Sequence, residues 1–266
     1  MGFLTDLVAE IRRDLDRHPL DEGALLVRAL AMPPARDLAG AVQAAVERAG
    51  RPAVIAEVKR ASPSAGVIAD PDPAKQARAY AAAGAAAVSV LTEPRHFGGS
   101  LADLRAVRTA VELPVLRKDF LVHPSQVIEA RAAGADAALL ITAAVTPAEL
   151  SALLTTAKDL GLGVLLETHS DRDLDLALAS DAEMVGVNAR DLETLEVDPA
   201  AARRRLGRIP PDRIAVLESG IATREDVRAA VDAGASAILV GEALMRSADP
   251  ARTVRTLVGE EEERHR

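Results

Sequence analysis

Val54-Ile55-Ala56-Glu57-Val58-Lys59 is an apolar run that closes on two ionisable side chains. The pattern returns at Lys118, at Glu167, at Asn188 with Arg190, and at Glu218, each at the end of its own apolar run. Runs such as Gly163-Val164-Leu165-Leu166-Glu167 read as short buried strands. An ionisable group there costs desolvation free energy unless it serves a shared polar site. Polar groups at the same end of several strands are the sequence image of a parallel barrel, which gathers its functional groups at one mouth.

Working outward, eight strand-like runs can be marked, at 54–59, 86–91, 114–118, 137–141, 163–167, 184–188, 214–218 and 237–241. Helical stretches rich in Ala, Leu, Arg and Glu lie between them, among them 72–82, 100–111, 124–133, 147–160 and 223–232. Strand then helix, repeated eight times, is the expectation for an α/β fold of the (β/α)8 TIM-barrel type. An open, doubly wound sheet is the alternative, because alternation alone does not prove closure. Three near copies support the repeat: Ala83-Gly84-Ala85, Ala133-Gly134-Ala135 and Ala233-Gly234-Ala235 each place a glycine suited to a left-handed helix cap directly before a strand. Ahead of the barrel, Phe3, Leu4, Leu7, Val8, Ile11 and Leu15 fall at helical spacing over 3–17, and a second helix is expected at about 37–48 beyond Pro33-Pro34. The expected organisation is one domain over 1–266, with a helical extension at 1–50 and the barrel at 54–258.

Bulk composition narrows the function classes. Hydrophobic residues are 49% and charged residues 27% of the 266 positions, an ordinary globular balance. With aromatics at 2%, the core must be built from Ala, Val, Leu and Ile, and base-stacking platforms for single strands are disfavoured. A net charge of −8 argues against a nucleic-acid backbone as the main partner, yet leaves room for a small anion held by a local cluster of Lys and Arg. Cysteine is absent, which removes disulfides and thiolate metal sites. Met1 to Arg13 lacks the apolar core of a signal peptide, and no window reaches the length of a membrane span. A cytoplasmic protein without membrane partners, monomeric or weakly homo-oligomeric, is the expectation.

Glu57 and Lys59, two apart in a strand, point to the same face. They read either as a structural ion pair or as catalytic groups. The polar loop Arg60-Ala61-Ser62-Pro63-Ser64-Ala65-Gly66, directly after the strand, favours the second reading. Lys118 is a candidate proton donor, with a snorkelling surface lysine as the bland alternative. Glu167 has no adjacent cation in sequence, so it needs a partner that Lys118 or Lys59 could supply. Arg190 can grip carboxylate or phosphate in a fork, while Asn188 both donates and accepts. Gly220 in Glu218-Ser219-Gly220-Ile221 and Gly241 in Val240-Gly241-Glu242 fall after the seventh and eighth strands, where barrels often bind phosphate through backbone amides. His96, His123 and His169 fall in loops, and none belongs to a metal-ligand spacing. His169, two residues after Glu167, is the one histidine that draws attention, with a polar loop residue as the favoured reading.

At these residues the chain resembles indole-3-glycerol phosphate synthase. The resemblance runs from the N-terminal helix through Ile55-Ala56-Glu57-Val58-Lys59-Arg60-Ala61-Ser62-Pro63-Ser64, Leu91-Thr92-Glu93 with Phe97-Gly98-Gly99-Ser100, and Arg117-Lys118-Asp119-Phe120. It continues through Gly186-Val187-Asn188-Ala189-Arg190-Asp191-Leu192 to Gly241-Glu242-Ala243-Leu244-Met245. It implies a carboxy-lyase of tryptophan biosynthesis acting on a phosphorylated small molecule without cofactor or metal. The substrate would be 1-(2-carboxyphenylamino)-1-deoxyribulose 5-phosphate, and the product indole-3-glycerol phosphate.

By resemblance, Lys118 is the general acid for condensation. Lys59 holds the substrate carboxylate and is the candidate acid for dehydration, the division between the two lysines staying open. Glu167 is the general base, Glu57 and Asn188 position the substrate hydroxyl and the lysines, and Glu218 orients the substrate. Ser219, Gly220, Gly241 and the amide of Glu242 match the phosphate site, with Arg190 and Ser62 as further candidates. Phe97, Phe120, Leu139 and Leu192 match the pocket for the anthranilate ring. Where many relatives carry Lys, this chain has Ala65. Two other readings stand beside this one: a different phosphosugar-handling barrel such as an isomerase, and a non-catalytic binding or scaffold protein. The acidic tail Glu260-Glu261-Glu262-Glu263 reads as a solvated helix end.

Overall fold

The computed structural model describes residues 2–259, so the acidic tail at 260–263 lies outside the described residues. Eight parallel strands close into a barrel: β1 (Ala53–Val58), β2 (Ala87–Leu91), β3 (Val115–Lys118), β4 (Ala137–Ile141), β5 (Gly163–Thr168), β6 (Met184–Asn188), β7 (Ile214–Glu218) and β8 (Ala237–Val240). Each pairs with its neighbours in sequence, and β1 pairs with both β2 and β8, which removes the sheet edge and excludes the open-sheet alternative. The strands stand within one residue of their expected positions. Lys59 and Gly241 fall just outside β1 and β8, as the first residues of the mouth loops.

Alternation along each strand sorts side chains into two apolar sets. Val54, Ala56 and Val58 belong to the layer between sheet and helices, together with Leu140, Leu166, Val185 and Leu217. Ala53 and Ile55 belong to the barrel interior, with Leu116, Leu139, Leu165, Met184, Val216 and Leu239. Glu57, Lys118, Glu167, Asn188 and Glu218 continue the interior phase, so the pleat alone turns all five inward at the C-terminal ends of their strands. The repeated Ala-Gly echo behaves as expected: Gly84, Gly134 and Gly234 have φ of 89°, 95° and 100°, a conformation that glycine adopts without a Cβ penalty.

Three helices precede the barrel: α1 (Phe3–Arg17), α2 (Glu22–Ala31) and α3 (Leu38–Ala49). Helix α3 contacts β1 and β2 and places Leu38, Ala39 and Val42 against the interior cluster. Helix α1 lies beside the mouth, where the Leu4 amide donates to the Leu192 carbonyl at 3.0 Å and Arg12 pairs with Glu149 at 2.7 Å. The sequence reading expected no helix at 22–31. Leu26, Val27 and Leu30 of α2 are exposed and blur the amphipathic pattern, while the Asp21 side chain caps the helix by accepting from the Ala24 amide at 3.0 Å.

Candidate active site

The five inward polar groups meet in one chamber of about 940 Å³, counted to its open mouth. All sixteen residues singled out from the sequence line it. At its floor the Lys118 ammonium donates to Glu167 Oε2 at 2.7 Å and to Glu218 Oε2 at 2.9 Å. Both carboxylates are 1% exposed. Asn188 Nδ2 donates to the other oxygen of Glu167, Oε1, at 3.1 Å, and Asn188 Oδ1 accepts from the Arg190 backbone amide at 3.0 Å. Asn188 therefore positions Glu167 directly and, in this geometry, neither lysine.

These contacts divide the charge unequally between two chemically identical side chains. Burial works against the Glu167 anion, yet the Lys118 charge and the approach of His169 outweigh it and hold this carboxyl well below the usual range. Burial pushes Glu218 up, and repulsion from ionised Glu167 pushes it further, so Glu218 lies well above the usual range. Two carboxylates sharing one ammonium cannot both ionise cheaply. Lys118 itself is pulled down by burial, but Glu167, Glu218 and Glu57 more than reverse this, and it is held as an ammonium above its ordinary value. The floor thus sets two carboxyl groups shifted in opposite directions around one ammonium.

Glycine makes room for this cluster. A Cβ on Gly186 would sit 2.3 Å from Glu218 Oε1, and one on Gly241 would sit 2.1 Å from Glu57 Oε1. Glu57, 2% exposed, holds Lys59 at 2.9 Å, so the second ammonium stands at the chamber rim with its own counter-ion. Beyond it, Ser62 and Gly66 pair in a two-residue ladder with Ala61 and Val67, and Ser62 Oγ accepts from the Ala65 amide at 3.2 Å. Arg60 points away from the chamber into an ion-pair cluster with Asp70 and Asp103.

The apolar wall is formed by Phe97, Phe120, Leu139 and Leu192, joined by Phe3 from α1. Phe120 packs 6.0 Å from Phe97 and 6.4 Å from Phe3, centroid to centroid. Glu93 is buried and accepts from the amides of Arg95, His96 and Phe97, which fixes the loop that presents Phe97. On the opposite side Ser219 and Gly220 both have positive φ, at 64° and 70°. For Ser219 this is a conformation that side-chain-bearing residues adopt at a cost, while Gly220 adopts it freely. Gly241 leads into a short helix at Glu242–Met245. Arg190 donates to the Leu195 carbonyl at 2.8 Å and stands 3.9 Å from Glu242. Among the described residues, no group of three or more acidic or histidine side chains is arranged to hold a metal ion.

The family model described as indole-3-glycerol phosphate synthase matches residues 4–257. The chain belongs to the indole-3-glycerol phosphate synthase family. Its relatives include the indole-3-glycerol phosphate synthase of Nocardioides sp., 51% identical over 264 residues that cover 98% of this chain and 100% of that one. That of Mycobacterium ulcerans is 51% identical over 258 residues, covering 96% and 93%. A solved 3-hexulose-6-phosphate synthase from Salmonella typhimurium superposes with a TM-score of 0.61 over 78% of this chain and 97% of that one, at 15% identity, and shows the barrel fold alone.

In this indole-3-glycerol phosphate synthase family member, Phe3 and Gly186 adjoin the chamber without a signal in the pattern of polar strand ends, and His169 is marked there only by its place two residues after Glu167. Phe3 was assigned only to a helix face, and an amphipathic pattern does not say what the face covers. Gly186 interrupts the run Met184-Val185-Gly186-Val187, and a glycine inside a strand is a usable signal of close approach. His169, read as a polar loop residue, instead brings Nε2 to 2.9 Å from Glu167 Oε1, with its side chain 7% exposed.

Proposed function

We propose that this chamber performs the family's ring closure with Lys118 as the general acid and Glu167 as the general base. The substrate, 1-(2-carboxyphenylamino)-1-deoxyribulose 5-phosphate, becomes indole-3-glycerol phosphate with release of CO2 and water. The observation that carries the assignment is the triad at the floor, in which the Lys118 ammonium lies 2.7 and 2.9 Å from two buried carboxyl groups, Glu167 and Glu218.

The ring carbon bearing the carboxylate attacks the ribulose carbonyl carbon, and the carbonyl oxygen gains a proton as the C–C bond forms. Lys118 is the group supplied with a proton for this step, and neutral Glu218, 2.9 Å from Nζ, is placed to return one. Loss of CO2 restores the aromatic ring. The new hydroxyl then leaves as water, with a proton lost from the methylene carbon beside the nitrogen. Glu167 is the base for that proton. Lys59, held at the rim by Glu57, faces the substrate carboxylate and serves as the acid for the departing hydroxyl. The aromatic wall takes the anthranilate ring, and the amides around Ser219, Gly220 and Gly241 take the phosphate, with Arg190 and Ser62 at its edge.

Incubating the purified protein with this substrate should give rising indole fluorescence. Folded protein that binds the substrate without turnover would overturn the reading in favour of a binding or scaffold role.

A further inference from the structure

Glu167 is gripped from two sides. Lys118, Asn188 and Glu218 meet it from within the chamber, whose wall they share. His169 meets it from outside: its Nε2 lies 2.9 Å from Glu167 Oε1, but it is not among the residues that line the chamber. The imidazole is more than nine-tenths buried, and neither ring nitrogen is aligned in a hydrogen bond among the described residues. Burying an unpaired polar ring is unfavourable, so a loop residue without a role has no reason to be held there. A small rotation of the ring converts the 2.9 Å approach into an Nε2–H···Oε1 bond.

We propose that His169 is a positioning residue for this reaction, fixing the Glu167 carboxylate from the side away from the substrate. Resting on the role of Glu167 as base, the inference gives each carboxylate oxygen its own task. Oε1 is held by Asn188 and His169, while Oε2 stays with Lys118 and faces the chemistry. The charged groups around the pair are Lys118 from β3 and Glu218 from β7, with Glu57 of β1 acting on Lys118. Asp191, in the loop after β6, feels the ring electrostatically. Asp173 caps the next helix and accepts the backbone amide of His169 at 3.2 Å.

The test compares wild type with His169→Phe, which keeps a planar ring but no donor, with His169→Gln, which offers an amide donor of similar reach, and with His169→Asn, which is too short. Indole fluorescence is followed across pH, and thermal melting reports the fold. His169→Phe should lower kcat roughly 10- to 100-fold, the worth of one charge-assisted hydrogen bond, with KM held within about twofold. The acid limb of its kcat profile should move to higher pH, because Glu167 loses a contact that favours its ionised form. His169→Gln should recover most of kcat, and His169→Asn should not. A His169→Phe protein with wild-type turnover and acid limb overturns the inference. If the Phe variant does not fold, the amide pair decides, since equal activity of Gln and Asn also overturns it. A wild type that produces no indole-3-glycerol phosphate removes the functional reading and this inference with it, whereas an active wild type beside an unaltered His169→Phe removes only the inference.

Discussion

Replacing Gly186 by alanine places a methyl group 2.3 Å from Glu218 Oε1 and 3.4 Å from Leu165 Cδ1. The second distance is an ordinary contact; the first leaves the carboxylate about 1 Å too close. Glu218 is the only group that can yield, because Gly186 sits in a strand paired on both sides. Yet Glu218 is itself pinned, since Oε2 is 2.9 Å from Lys118 and the side chain is buried. Overpacking of this kind costs about 1–3 kcal/mol. The displaced atom is the end of a side chain, so the lower part of that range applies, and Tm should fall by only about 2–4 °C. The effect on catalysis is larger. A misplacement of about 1 Å in a group that holds the acid is worth roughly 100-fold in rate. Gly186→Ala should therefore lose kcat while keeping most of its stability, as read by indole fluorescence and thermal melting. Adding Glu218→Ala removes the clash, so the double variant should regain the melting temperature of Glu218→Ala alone without regaining activity. Wild-type kcat in Gly186→Ala would refute the claim that this glycine exists to seat Glu218.

Lys118→Ala should lower kcat by roughly 100- to 10,000-fold with a much smaller change in substrate affinity, and an unchanged turnover number would remove Lys118 from the acid role. The folded pKa of Glu218 is raised, so its contribution to stability is full below the unfolded value near 4.5 and is lost as pH rises toward the folded value. Glu218→Gln cannot ionise, so its melting temperature relative to wild type should climb from pH 4.5 toward pH 8; a pH-independent difference would contradict the neutral assignment. Phe3→Ala opens the aromatic wall against Phe120, and KM should rise roughly tenfold while kcat changes little, because Phe3 lines the chamber wall and carries no proton-transfer group.

Much of the site was legible because a strand has a period of two. Once Val54 to Lys59 is read as a strand, Glu57 and Lys59 must share a face, and the same reasoning turns Lys118, Glu167 and Glu218 to the mouth. The need of Glu167 for a cation was visible as well, since nothing beside it in sequence supplies one, and Lys118 meets that need. His169 was legible only as a histidine two residues after Glu167, not as a contact of its carboxylate. It is also two residues from its predecessor in the pattern, but β5 ends at Thr168, and past that point the pleat no longer dictates where a side chain goes. Helix α2 was missed for a related reason: Leu26, Val27 and Leu30 face solvent, and periodicity reports helices only where the large apolar residues share one buried face.

The sequence by itself determined the order of elements, the inward phase of each polar strand end and the glycine caps, because these depend on local backbone geometry and on alternation along a single segment. Tertiary structure alone decided what the polar groups became. Glu167 and Glu218 are the same residue type at the same kind of strand end, yet one is pulled well below the usual carboxylate range and the other pushed well above it. The difference lies in which oxygens reach Lys118, Asn188 and His169 across β3, β5, β6 and β7. Proton distribution is a property of several charges at angstrom separations in a buried space, and no single segment contains it.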